Sequence, residues 1–132
     1  GSEMCIRDRY YRAEELVPYL SCPQGVDNVH SIEKVQGTPL NEVYIGSCTN
    51  GSLEDMAVAA RILQGHHVAP YLKFIIIPAS IGIYRQCMRL GYIRAFVEAG
   101  AMVAHPCCGL CCGGCFRYAQ KTPRASGTCA AI

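Results

Sequence analysis

Cysteine placement constrains this chain more than any other feature. Ten cysteines occur in 132 residues, and five of them fall between Cys107 and Cys115. Such density leaves two options, a disulfide scaffold or a metal site. Disulfide scaffolds are short and loop-rich, whereas the middle of this chain is well patterned. Adjacent pairs such as Cys107–Cys108 and Cys111–Cys112 also make poor staples. A metal or cluster site in a reducing cytosol is the better reading, so a cytoplasmic protein is expected.

Other function classes are disfavoured by what surrounds the cysteines. Net charge is +2 and only 17% of residues are charged. No basic run or aromatic-interleaved Lys/Arg stripe occurs, so no nucleic-acid partner is expected. The longest strongly apolar run, Phe74 to Pro78, is far too short to cross a bilayer. No segment joins a basic start, an apolar stretch and a small-residue cleavage site, so neither a secretory signal nor a membrane partner is expected. The length suits one domain, and 51% hydrophobic residues can build its core.

The ends read differently from the middle. Residues 1–9 fit no element and are expected to be an artefactual or disordered N-terminus. Met4-Cys5-Ile6-Arg7-Asp8-Arg9 has the look of a translated adapter read-through. Tyr11 to Leu20 is expected to form a short helix closed by Pro18 or Pro23. Ser21 to Pro39 reads as loop, with Gly25, Asp27-Asn28, Gly37 and Pro39 as turn signals. Arg117 to Ile132 has no clear periodicity, and no terminal helix or strand is expected there.

Between them, strand and helix signals alternate. Glu42 to Gly46 reads as a strand that ends in a turn, Ser47-Cys48-Thr49-Asn50-Gly51. Ser52 suits a helix N-cap and Asp55 approximates a capping box. Leu53, Met56, Ala57, Ala60 and Leu63 then share one helical face, and Gly65 suits the stop. Leu72 to Ile77 is a continuous apolar run of the kind buried on both faces of a parallel sheet. Ser80 can cap a helix to about Leu90, Gly91 breaks it, and Tyr92 to Ala99 makes another. Ala101 to Ala104 is a short third strand. This order predicts a parallel α/β layer.

In such sheets ligands gather beyond the carboxyl ends of the strands. Cys48 directly follows the first strand, and Cys108-Gly109-Leu110-Cys111 directly follows the third. Three thiolates at one edge could hold zinc with a fourth ligand, or a cluster with one iron left open. Glycines 46, 51, 109, 113 and 114 are expected to give the backbone room beside a bulky cofactor.

Three sets of residues carry a resemblance. Val43-Tyr44-Ile45-Gly46-Ser47-Cys48-Thr49-Asn50-Gly51, followed by Glu54-Asp55, resembles the cluster motif of the aconitase superfamily. Pro78-Ala79-Ser80, Glu98-Ala99-Gly100-Ala101 and the Pro-x-Cys-Gly-x-Cys-x-Gly-Gly pattern from Pro106 follow in the order of its 3-isopropylmalate and homoaconitate dehydratase branch. Pro23 and Asp27-Asn28-Val29 are similar to the stretch just upstream. The resemblance covers about Leu16 to Gly114.

What it implies is an incomplete parallel-sheet, three-layer α/β domain of the aconitase iron–sulfur type over residues 10–116. A truncated, divergent tail would follow over 117–132. By resemblance, Cys48, Cys108 and Cys111 hold a 4Fe–4S cluster, and Asn50 supports it from beside. The parent enzyme would be a hydro-lyase that dehydrates and rehydrates a hydroxy di- or tricarboxylic acid, 3-isopropylmalate in leucine biosynthesis foremost. The substrate would meet the open iron. A small swivelling-domain subunit would be the partner and would bring the catalytic serine.

The family's acid–base histidines and carboxylates lie in upstream domains. Its carboxylate-holding arginine belongs to an Asn-Arg-Asn-Phe-type segment that Ala125 to Cys129 barely approaches. No catalytic residue is therefore assigned in this chain, and the fragment alone is expected to be inactive. Cys22 and Cys87 read as buried hydrophobes or incidental thiols. Cys107, Cys112, Cys115 and Cys129 receive no role, His66 and His67 read as solvated, and His105 as structural or hydrogen-bonding rather than a ligand. Ser80, Glu54 and Asp55 are explained by helix capping and the helix dipole. Two alternatives remain open: a non-catalytic cysteine-rich metal-binding module, and a relative of aconitase used as an RNA-binding sensor.

Overall fold

The computed structural model describes residues 10, 12–22, 27–112 and 130–131, with the backbone alone at 111, 112, 130 and 131. Residues 1–9, Pro23, Gly25, Gly113, Gly114, Cys115 and the tail through Cys129 lie outside the described residues, so the expectations placed on them do too. The chain divides into two units, Gly1–Thr38 with Cys129–Ile132, and Pro39–Thr128.

The first unit is built on short pairings. A single 3-10 turn, Ala13–Glu15, precedes β1 (Tyr19–Ser21), β2 (Val29–Ser31) and a one-turn helix α1 (Ile32–Val35). Strand β1 runs antiparallel to β2, with Tyr19 opposite Ser31 and Ser21 opposite Val29. Its other edge pairs antiparallel with Ala130–Ala131, where Leu20 faces Ala131 and Ser21 faces Ala130. Three expectations are corrected here. The helix over Tyr11–Leu20 shrinks to one 3-10 turn, because a residue before proline avoids the helical region and Pro18 follows Val17. The loop over Ser21–Pro39 contains β2 and α1. A strand does occur near the end of the chain, held by pairing with residues over 100 positions away.

The second unit carries the α/β pattern. Its elements are β3 (Glu42–Gly46), a one-turn helix α2 (Ser47–Asn50), α3 (Leu53–Leu63), β4 (Lys73–Ile77), α4 (Ile81–Arg89), α5 (Tyr92–Glu98) and β5 (Met102–Val103). The strands form a parallel sheet in the order β3-β4-β5. Their register places Glu42 beside Lys73, Gly46 beside Ile77 and Ile75 beside Met102. The α/β class with a parallel sheet thus stands as the sequence implies.

Local chemistry starts each long helix. The Ser52 hydroxyl accepts from the Asp55 amide at 3.2 Å, and the Asp55 carboxylate accepts from the Ser52 amide at 3.0 Å. This reciprocal capping box satisfies amides that have no partner within α3. Ser80 caps α4 by accepting from the Ile83 amide at 3.2 Å. Gly65 and Gly91, both at positive φ, follow the ends of α3 and α4. On the exposed side of α5, Arg94 pairs with Glu98 one turn later, a contact worth little at the surface.

Helices α3, α4 and α5 pack together over one face of the sheet. Met56, Ala59 and Ala60 from α3, Cys87 from α4 and Phe96 from α5 meet Phe74 and Ile76 there. Alternation along the strands sends Tyr44, Ile75 and Ile77 to the opposite face. Ile75 and Ile77 are fully buried all the same. Strand β4 is therefore enclosed on both sides, as its unbroken apolar run implies. Within this unit, α3, α4 and α5 lie on the Phe74 and Ile76 face. The other face receives the 3-10 turn Gly109–Cys112, through Gly109.

Core and surface should respond differently to truncation. Met56→Ala empties a fully buried site and should lower unfolding stability by about 2–5 kcal/mol. Val58→Ala, two residues on but half exposed, should cost within about 0.5 kcal/mol. Urea unfolding midpoints of the two variants provide the check, and equal losses would contradict the assigned core. Cys87 offers a second probe, because burial pushes its thiol above its ordinary 9.0. In the native chain at mildly alkaline pH, iodoacetamide should label the exposed Cys48, Cys107 and Cys108 long before Cys87.

Candidate metal centre

Strand β3 ends on a pair of unusual backbone conformations. Gly46 has φ of 137° and Ser47, almost fully buried, has φ of 59°. A side chain at Gly46 would run into the backbone carbonyl of Ile77 on the neighbouring strand. Only glycine permits that approach. The reversal turns the chain out of the sheet into α2, and Cys48 becomes the second residue of that helical turn, exposed. Its sulfur lies 4.0 Å from the Thr49 hydroxyl. The expected Ser47–Gly51 turn is thus mostly one turn of helix. Asn50 closes that turn and is exposed beside Cys48. The Gly51 carbonyl then accepts from the Ala79 amide at 2.9 Å, which ties the segments after β3 and β4 together.

The second motif reaches the same edge. The Ala104 amide donates to the Ile76 carbonyl at 3.0 Å, extending the pairing of β5 past Val103. His105 stacks on Tyr84 of α4, with ring centroids 6.4 Å apart. Cys107 and Cys108 follow, both exposed. Gly109 is buried, and a Cβ there would lie 2.6 Å from Ile77 Cδ1 and 3.0 Å from the Tyr44 hydroxyl. The Tyr44 hydroxyl donates to the Cys108 carbonyl at 3.5 Å. Both motifs therefore adjoin Ile77, Cys48's through the Gly46 backbone and Cys108's through the Ile77 side chain.

The backbone of Cys111 lies in the 3-10 turn two residues after Gly109, while its side chain and that of Cys112 are outside the described residues. Among the described residues, no group of three His, Cys, Asp or Glu side chains is gathered as for a metal ion. The donor chemistry nonetheless suits a thiolate-held centre. Three free thiols, Cys48, Cys107 and Cys108, stand exposed on two segments that leave the carboxyl edge of one parallel sheet, and soft sulfur donors favour zinc or iron–sulfur clusters.

Several sequence assignments take definite positions. Cys87 is a fully buried core residue and Cys22 is half-buried. Ser80 and Asp55 are caps, Glu54 starts α3 in the open, and His66 and His67 are exposed after it. The nearest atoms a side chain would meet at Gly46, Gly51 and Gly109 are protein atoms of Ile77, Ser47, Ala79 and Tyr44. These three glycines let protein segments close on each other. In the sequence Tyr44 stands as a strand residue within the Val43–Gly51 motif, with no role of its own. Its position two residues before Gly46, on the face away from the helices, is the signal that links it to the site.

Comparison with known proteins agrees with this layout. Residues 15–130 match the model of the aconitase family (aconitate hydratase). The match runs past Gly114, beyond the motifs that carry the resemblance; residues 115–130 have no motif as dense as Cys107–Gly114. The 3-isopropylmalate dehydratase large subunit 2 of Archaeoglobus fulgidus is 50% identical over 107 residues, 81% of this chain and 26% of that protein. The 3-isopropylmalate dehydratase large subunit of Pyrobaculum aerophilum is 47% identical over 104 residues, 79% and 25% of the respective chains. A probable methanogen homoaconitase large subunit of Methanothermobacter thermautotrophicus is 40% identical over 108 residues, 82% and 25% of the respective chains. The chain spans about a quarter of the length of these curated relatives. With matching residues across most of its length and both cysteine motifs at the sheet's carboxyl edge, the chain belongs to the aconitase family.

Proposed function

We propose that this chain is the cluster-holding part of a hydro-lyase large subunit, with Cys48, Cys108 and Cys111 as ligands of a 4Fe–4S cluster. The observation that carries the reading is the meeting of two exposed-thiol segments around Ile77 at the carboxyl edge of a parallel sheet. Family membership and the names of the relatives support it. Their names point to 3-isopropylmalate as the foremost substrate, and leucine biosynthesis is proposed as the setting. The relatives are named large subunits, so a small subunit that completes the site is part of the proposal. A cytoplasmic location is proposed with it, in keeping with exposed free thiols. No helix among the described residues is long and apolar enough to cross a membrane.

When bound, a cluster with one iron left open supplies a Lewis acid for the substrate's hydroxyl and carboxylate. The chain's own part is to present thiolates on a rigid edge. The parallel pairing of β3 with β4 fixes where Cys48 leaves the sheet, and Gly109 fixes where Cys108 does. Asn50, two residues after Cys48 at the end of α2, is proposed to support the cluster from beside. Elimination also needs a base for the neighbouring carbon proton and cations for the carboxylates. Arg117 and Arg124, the tail arginines, lie outside the described residues.

Two outcomes test the proposal. Anaerobic reconstitution with iron and sulfide should give a broad visible absorption that Cys48→Ser, Cys108→Ser or Cys111→Ser abolishes. Cys107→Ser and Cys112→Ser should leave most of it. Equal loss from all five would favour a non-catalytic metal-binding module over this ligand set. The reconstituted chain alone should not dehydrate isopropylmalate, citrate or homocitrate. Turnover at an ordinary enzyme rate, on the order of 1–1000 per second, followed by absorbance of the unsaturated product, would show that the site is more complete than proposed.

A further inference from the structure

We infer that Tyr44 is a positioning residue for the second thiol motif: with Ile77 it forms the seat that holds the Cys108–Gly109 peptide against the sheet. The inference rests on the cluster reading for its purpose, but the seat itself is a property of the apo chain.

Tyr44 and Ile77 lie on neighbouring strands and on the same face, because Tyr44 is in register with Ile75, two residues before Ile77. Gly109 rests on both. A Cβ at Gly109 would sit 2.6 Å from Ile77 Cδ1, 3.0 Å from the Tyr44 hydroxyl and 3.4 Å from Tyr44 Cε2. The φ of 54° at Gly109 adds a second reason for glycine. The Tyr44 hydroxyl donates to the carbonyl of Cys108 at 3.5 Å, a long hydrogen bond. Its strength is accordingly modest, and the seat restrains the peptide mainly by contact.

The consequence lies in what Tyr44 connects. It sits on β3, two residues before Gly46 and four before Cys48, so one strand carries the first thiol and touches the peptide of the second. The spacing between the motifs is thereby set by a short rigid path rather than by the long chain between them. Sites that bind metal depend on such supporting contacts to hold donors near their bound geometry. The phenol ring supplies the contact and the hydroxyl fixes the peptide's orientation.

The test compares wild type, Tyr44→Phe, Gly109→Ala and the double variant Gly109→Ala/Ile77→Val. In cluster-free protein, iodoacetamide labelling is followed at Cys108, Cys107 and Cys87 by peptide mass mapping. Tyr44→Phe, which keeps the ring contact and removes the long hydrogen bond, should change Cys108 labelling relative to Cys107 by about 2-fold, the low end for one hydrogen bond, while Cys87 stays protected. Gly109→Ala should shift the same ratio further, and Ile77→Val should partly reverse it, because valine lacks the Cδ1 that the new Cβ would strike. In reconstituted protein, Tyr44→Phe should release iron to a chelator faster than wild type. Labelling ratios unchanged in Tyr44→Phe, or no reversal by Ile77→Val, would overturn the inference. Cys108→Ser loading as much iron as wild type would instead overturn the cluster reading, and the labelling result would still decide the seat.

Discussion

The structure depends on how closely β3 and β4 approach at Gly46 and Ile77. A parallel pair must end somewhere, and here it ends where one strand has no side chain and the other has a fully buried isoleucine. The missing Cβ lets the backbone at Gly46 turn beside the Ile77 carbonyl. That turn needs positive φ at both Gly46 and Ser47, a conformation costly for a serine and held only because the surroundings enclose it. Cys48 emerges from the sheet as a result. On the other side of the same isoleucine, the side chain receives Gly109 and so places Cys108. A single core residue thus references both motifs.

This arrangement explains why a small α/β layer suits thiolate chemistry. Helices α3, α4 and α5 bury one face of the sheet and hold its strands in register. The carboxyl ends of the strands are left as the place where segments of irregular backbone can carry reactive groups. Buried Cys87 and exposed Cys48 show the division within one residue type. The first is a small hydrophobe whose burial disfavours its thiolate, and the second stands in solvent.

Much of this was legible because it is local. The capping box of Ser52 and Asp55, the cap at Ser80 and the stops at Gly65 and Gly91 each involve residues a few positions apart. The unbroken apolar run of β4 announced burial on both faces. The first unit was not legible for the opposite reason. Three-residue strands such as Tyr19–Ser21 carry no period, and their pairing with Ala130–Ala131 depends on residues far along the chain. The glycines were legible as points of close approach, but sequence does not show which protein atoms approach them. Tyr44 was hidden because a tyrosine in a strand is ordinary until its hydroxyl is found beside the Cys108 carbonyl. The ligand set came from resemblance rather than from spacing, and Cys111 enters the site by its backbone position alone.

The central claim is that these cysteines hold an iron–sulfur cluster rather than a lone metal ion. The direct measurement is metal and acid-labile sulfide content of the chain purified and reconstituted without oxygen. The account predicts iron and sulfide in equal amounts, about four of each per chain in the fully loaded form, with little zinc. Zinc at about one per chain without sulfide, even after reconstitution, would contradict it and identify a simple thiolate metal site.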